Sequence, residues 1–196
     1  MIRTLSALIL VALAGGGAIW WGTGGGLAFT SETQRRIEIA AHPRSLPAVA
    51  LTDSTGARLV LSDYQGAPLL MEFIYTTCPD ICVTLGSAFE QIDKAAAANL
   101  RLLSISFDPR DQAEQLGWFA DRHGAEAPRW RVVRVPDPAN LKTLLQQAGV
   151  VVVPDAQGGF VHNAGLYLVD GNGRLIQVFD PDDTDGALKA LNALGD

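Results

Sequence analysis

The only two cysteines of the chain stand in Thr76-Thr77-Cys78-Pro79-Asp80-Ile81-Cys82, with three residues between the sulfurs. Four positions apart on a helix, both thiols project from one face, so the pair can chelate one soft ion or oxidise to a bridge. A purely structural disulfide is the third reading, but closing so short a loop constrains little of the unfolded chain. Position argues the same way. The motif follows the apolar run Leu69 to Tyr75, broken only by Glu72, and precedes a helical pattern of Ile81, Leu85, Ala88, Ile92 and Ala96. Pro79 suits the first helical position, which puts Cys78 at the N-cap, where free N–H groups and the helix dipole favour a thiolate.

Two thiolates prefer soft metals, and Cu(I) is satisfied by two or three such ligands whereas structural zinc takes four. A third ligand has to come from a distance, and the histidines are His42, His123 and His162. His42 lies in a Pro-rich stretch and reads as solvated. His123 closes a helical pattern just before Gly124, where an imidazolium suits the negative end of the dipole. His162 sits in Gly158-Gly159-Phe160-Val161-His162-Asn163, a loop entering a strand, which is where a thioredoxin-like fold brings a segment opposite the cysteine helix, although taken alone a histidine beside a strand reads as a packing residue more often than as a ligand. Asp80 reads as a carboxylate favoured in a first helical turn, and Asp108 as the end of a strand and the cap of the next helix. Trp118, Phe119 and Trp130 read as packing residues.

The elements that must position these groups alternate along the chain. Strands are expected at 48–51 and 58–61 around Asp53-Ser54-Thr55-Gly56, then at 69–75, 102–107 and 130–135. Two more, 164–169 and 174–179, flank Asp170-Gly171-Asn172-Gly173, a hairpin signal. Besides the cysteine helix, helices are expected at 112–122, at 138–148 stopped by Gly149, and at 184–194 after Asp183. Alternation that ends in a hairpin and a helix predicts the α/β class, a thioredoxin-like mixed sheet flanked by helices.

Ahead of that domain, Thr4 to Ser31 carries no charged side chain, and Arg3 alone precedes it. Leu5 to Leu13 with Ala12-Leu13-Ala14 has the form of a cleaved signal peptide. The longer uncharged run, ending in Trp20 and Trp21, has the form of one N-terminal transmembrane helix with interfacial tryptophans. Either form exports the domain. The expected organisation is a membrane anchor or signal segment at 1–31, a linker at 32–46 and the domain at 47–196. Fifteen basic against twenty-one acidic side chains give a net charge of -6, which argues against a nucleic-acid partner. With 48% hydrophobic and 18% charged residues the chain has a globular composition.

Taken together, TTCPDIC after an apolar strand, SISFDPRD at 104–111 and a late histidine before LYLVDGNGRL at 166–175 resemble the Sco/SenC family, over roughly residues 46–194. The resemblance implies a thioredoxin-like fold that binds copper, Cu(I) and/or Cu(II), through Cys78, Cys82 and His162, with Asp108 at the family's acidic position. It implies a membrane-tethered copper chaperone that serves the CuA site of cytochrome c oxidase. The partners would be a copper-receiving oxidase subunit or another copper chaperone. The location would be a bacterial inner membrane, crossed once, with the domain facing the periplasm. The alternative is a thiol-disulfide oxidoreductase acting on the cysteines of a copper-receiving protein, so an enzymatic role stays open. The chain departs from the family pattern at Val83, where proline is usual, and at Val161 and Asn163, where Asp and Ser are usual. It also has Phe160 near the histidine in place of a tyrosine. Loss of the carboxylate beside His162 predicts weaker retention of Cu(II).

Overall fold

The computed structural model describes residues 2–26, 30–78, 81–96 and 99–195, which form two compact units, Met1–Glu38 and Ile39–Asp196. Helix α1 (Ile2–Gly22) lies in the first unit, and α2 (Ser31–Ala41) begins in the first and ends in the second. The Thr4–Gly22 part of α1 has a mean hydropathy of 1.7 over 19 residues, a length and apolarity that a membrane span and an export signal share. Helix α2 lies in the stretch expected to be linker. Its start is organised by the Thr30 hydroxyl, which accepts from the Thr33 N–H at 3.1 Å. Glu32 pairs with both Arg35 and Arg36 at three- and four-residue spacing. Ile39, where the second unit begins, is fully buried.

The second unit is built on an eight-stranded sheet. Its strands are β1 (Arg44–Ser45), β2 (Ala50–Asp53), β3 (Arg58–Val60), β4 (Leu69–Ile74), β5 (Arg101–Ser106), β6 (Trp130–Arg134), β9 (Leu166–Val169) and β10 (Arg174–Phe179). A separate antiparallel hairpin is made by β7 (Val152–Pro154) and β8 (Phe160–His162). The spatial order of the sheet is β1-β10-β9-β4-β5-β6-β2-β3, with the β4–β5 and β5–β6 pairs parallel and the others antiparallel. Helices α3 (Ile81–Ala95), α4 (Ala113–His123), α5 (Pro138–Ala148) and α6 (Thr184–Gly195) complete a mixed α/β sheet flanked by helices.

Local chemistry accounts for most of these boundaries. All six residues of β4 are buried, as a continuous apolar run in a strand covered on both faces requires. Helix α5 begins where the Asp137 carboxylate accepts from the Asn140 N–H at 2.8 Å and Pro138 fills the first helical position. It ends at Gly149, whose φ of +70° is the left-handed conformation a helix terminus favours. Between β9 and β10 the Asp170 carboxylate accepts from the N–H groups of Asn172 and Arg174, so one side chain organises the turn. Trp130, Tyr167, Phe73 and Phe89 are the largest fully buried side chains, and Phe119 is buried with them, whereas Trp118 is exposed.

Two polar residues behave differently from the sequence expectation. His123 is in the last turn of α4, yet it is 4% exposed and its ring packs on Gly86 of α3 and on Phe119, with ring centroids 4.6 Å apart in the second case. Burial holds its pKa below the usual histidine value, so the expected imidazolium at the helix end is replaced by a neutral ring whose Nε2 has no partner. Asp108 does not cap α4. Gln112 and Gln115 occupy that start, the Gln112 N–H donating to the Gln115 side chain at 3.0 Å. The buried Asp108 carboxylate instead accepts from the Arg110 N–H and guanidinium.

Candidate metal centre

The cysteine motif sits where β4 leaves the sheet and α3 begins. The Cys78 N–H donates to the Tyr75 carbonyl at 3.1 Å, closing a tight turn directly after the strand. The Cys82 N–H donates to Cys78 Sγ at 3.3 Å, so the first sulfur does take up a free amide at the helix start. The expected placement of Pro79 and Asp80 in the first helical turn lies outside the described residues. Both thiols are free, and they differ in surroundings. Cys78 lines an open cleft of about 620 Å³, whereas Cys82 lies behind it at 2% exposure. Burial, then the hydrogen bond with Cys78, pushes the Cys82 thiol far above the ordinary value, so this sulfur holds its proton.

Asp111, which the sequence reading passed over, fixes the position of the loop. Its carboxylate accepts from the Thr76 N–H at 2.9 Å, the Thr76 hydroxyl at 2.6 Å and the Ser106 hydroxyl at 2.6 Å. Three donors on a carboxylate 1% exposed tie the turn before Cys78 to the end of β5. The second acid of the Asp-Pro-Arg-Asp run was the signal that pointed to it. Glu72 was visible only as an interruption of the apolar run. It is fully buried, opposite Ser104 in the β4–β5 register, and accepts from the Ser104 hydroxyl through one oxygen while the other has no partner. Burial raises its pKa to about 8, and its charge is felt at Cys82.

His162 reaches the same cleft from the far end of the fold. Alternation along β8 turns Phe160 and His162 to one side and exposes Val161, at 66%, on the other. Asn163 has a different task. Its side chain accepts from the Val151 N–H at 2.6 Å and donates to the Gly149 carbonyl at 3.0 Å, fastening the base of the β7–β8 hairpin to the end of α5. The turn of the hairpin is held by Asp155, which accepts from the Gln157 and Gly159 N–H groups at 2.8 Å each.

The His162 ring packs edge-on against Phe107 at 5.0 Å and Tyr75 at 6.4 Å. Both of its ring nitrogens are buried without a hydrogen-bond partner, and burial lowers its pKa to about 4. A neutral imidazole with two unused nitrogens is in the protonation state that ligates metals. The structure thus brings Cys78 and Cys82 into contact and sets Cys78 and His162 on one cleft. Among the described residues, no three His, Cys, Asp or Glu side chains stand close enough to hold an ion as they are. His42 remains away from the cleft, and His123 belongs to the packing between α3 and α4.

Comparison with known proteins bears on the family and the fold. Residues 41–193 match the SCO1/SenC family. The SCO1 protein homolog of Bacillus subtilis is 23% identical over 131 residues, covering 64% of this chain and 68% of that protein. Among solved structures, a SCO1/SenC family lipoprotein from Bacillus anthracis superposes with a TM-score of 0.73 at 18% identity, over 79% of this chain and 98% of the other. ScoI of Bradyrhizobium japonicum, solved with copper bound, gives 0.62 at 24% identity, over 75% and 99% respectively.

Proposed function

Because the chain belongs to the SCO1/SenC family, we propose that it is a copper chaperone that holds its cargo through Cys78, Cys82 and His162 and hands it to the CuA site of cytochrome c oxidase. One observation carries the reading: a neutral imidazole with both nitrogens buried and unpartnered faces the cleft that Cys78 lines. An unpaired buried nitrogen is costly, and a soft ion shared with two sulfurs relieves it. In this reading the β7–β8 hairpin carries His162 the remaining way to the sulfurs, and Cys82 releases its proton to solvent as its thiolate takes up the metal. Helix α1 is the single membrane span, with the domain on the periplasmic side of a bacterial inner membrane, and the receiving protein is an oxidase subunit or another chaperone.

The contrast between the two thiols favours a second reading. With Cys78 at the cleft and Cys82 protonated behind it, the pair has the layout of an attacking and a resolving cysteine. The Cys78 thiolate would attack a disulfide of the receiving protein and displace one partner thiolate. Cys82, on losing its proton, would then attack Cys78 Sγ, release the second partner thiolate and leave a Cys78–Cys82 bridge.

Titration of the full chain in detergent with Cu(I) and Cu(II), for the parent and for His162→Ala, separates the two. Chaperone function predicts that the variant keeps its fold and thiol redox behaviour, binds copper more weakly, and loses more Cu(II) than Cu(I). Equal copper affinities, with both proteins reducing a disulfide substrate equally well, would establish the oxidoreductase instead.

A further inference from the structure

Tyr75 touches both sides of the cleft. Its hydroxyl donates to the Phe160 carbonyl of β8 at 3.3 Å, across 85 residues of sequence. Its main-chain carbonyl accepts from the Cys78 N–H at 3.1 Å, so the residue stands in the cysteine loop itself. Its ring packs edge-on against Phe160 at 5.3 Å and His162 at 6.4 Å, and tilted against Phe107 at 5.6 Å. These contacts run between the turn after β4 and a hairpin that lies outside the main sheet. The base of that hairpin is fastened by Asn163, and near its turn the Tyr75 hydroxyl is a polar link to the cysteine loop.

We propose that Tyr75 is a positioning residue: standing in the cysteine loop with its hydroxyl bonded to Phe160 of the hairpin, it keeps His162 docked on the cleft that Cys78 lines. The proposal rests on the chaperone reading for its consequence, since a docked imidazole matters most to a site that ligates through it. The hydroxyl's one proton goes to the Phe160 carbonyl, so the loop that holds Cys78 and the strand that holds His162 are tied by that bond. The ring alone cannot do this. It supplies apolar contact, while the direction in which the hairpin sits is fixed by the hydrogen bond. Without the hydroxyl the hairpin keeps its aromatic neighbours but gains freedom, and ordering it again must be charged against metal binding.

Tyr75→Phe tests this in the full chain in detergent, reduced and metal-free. Hydrogen exchange of residues 155–162 should rise about fivefold, the value of one ordinary hydrogen bond, with urea unfolding still cooperative. Cu(I) affinity, read by competition with a chromophoric chelator, should fall by a similar factor, and the Cu(II)–thiolate charge-transfer band should shift. Phe160→Ala is the companion variant, because it removes a ring but keeps the carbonyl that Tyr75 bonds. It should loosen the hairpin less than Tyr75→Phe does. Greater loosening in Phe160→Ala, or unchanged exchange in Tyr75→Phe, would assign the docking to ring packing and overturn the proposal. So would loosened exchange with unchanged copper affinity in Tyr75→Phe while His162→Ala binds weakly. Loosened exchange in a chain whose parent binds no copper would support the latch and remove the chaperone reading.

Discussion

Replacing Glu72 by glutamine isolates the cost of a carboxyl group sealed inside the sheet. The folded carboxyl titrates at about 8 against a usual value of 4.5, because burial penalises its charged form. Between those two values the folded state holds one proton more than the unfolded state. The stabilising effect of this group is therefore complete below 4.5 and is lost as pH rises, by about 1.4 kcal/mol per pH unit. From 4.5 to pH 7 the loss amounts to about 3 kcal/mol. Glutamine keeps an oxygen for the Ser104 hydroxyl and stays neutral in both states, so it has no such slope. His162 and His123 act in the opposite direction, since their lowered values remove stability as pH falls below 6.5. They are present in both proteins and cancel in the difference. Urea unfolding of the reduced chain, followed by tryptophan fluorescence at pH 5, 6, 7 and 8, should show the variant gaining on the parent by about 1.4 kcal/mol per unit. The new amide leaves a buried N–H₂ without a partner, which shifts the whole curve but not its slope. Parallel curves across that range would mean that Glu72 titrates in the ordinary range and would refute the reasoning.

The packing of α3 on α4 makes Gly86→Ala costly, because a Cβ there would lie 2.5 to 2.6 Å from three atoms of the His123 ring. A loss of about 2 kcal/mol is expected in urea unfolding, largely relieved when His123→Ala is added. Asp111→Asn turns one acceptor oxygen into a donor facing Thr76 or Ser106. It should destabilise the chain by about 2 kcal/mol and speed alkylation of Cys78 by iodoacetamide, as the loop before it comes loose. An unchanged alkylation rate would show that Asp111 does not hold the loop.

What the sequence disclosed followed from interactions between near neighbours. Helix α5 matches its expected bounds because its cap, its proline and its glycine are all local, and β10 does so because the Asp170 turn fixes where it starts. Helix α2 was obscured by glycines before it and prolines after it, although Glu32 and Ile39 were signs that it could form. The β7–β8 hairpin was hidden by Pro154, which argues against a strand, while its turn is made by Asp155 and two glycines that do fit one. The placement of β4 between β5 and β9 comes from pairing over long sequence distances, which periodicity does not encode. Within the site, residue types marked Cys78, Cys82 and His162. Tyr75 and Asp111 matter through contacts made 85 and 35 residues away, and nothing near them in sequence announces those partners.

The route of the chain through the site also sets an order of events during synthesis. Cys78 and Cys82 emerge together, but His162 follows only after β5, α4, β6 and α5 have been made. At the usual elongation rate of about 5–20 residues per second, those roughly 80 residues separate thiols from imidazole by about 4 to 16 s. During that interval the nascent chain offers a pair of sulfurs without the hairpin that shares their cleft. A chain that meets an oxidant in that window closes its bridge before the imidazole exists to compete. Newly made protein would then begin its life as the disulfide and need a reductant before it could take up an ion.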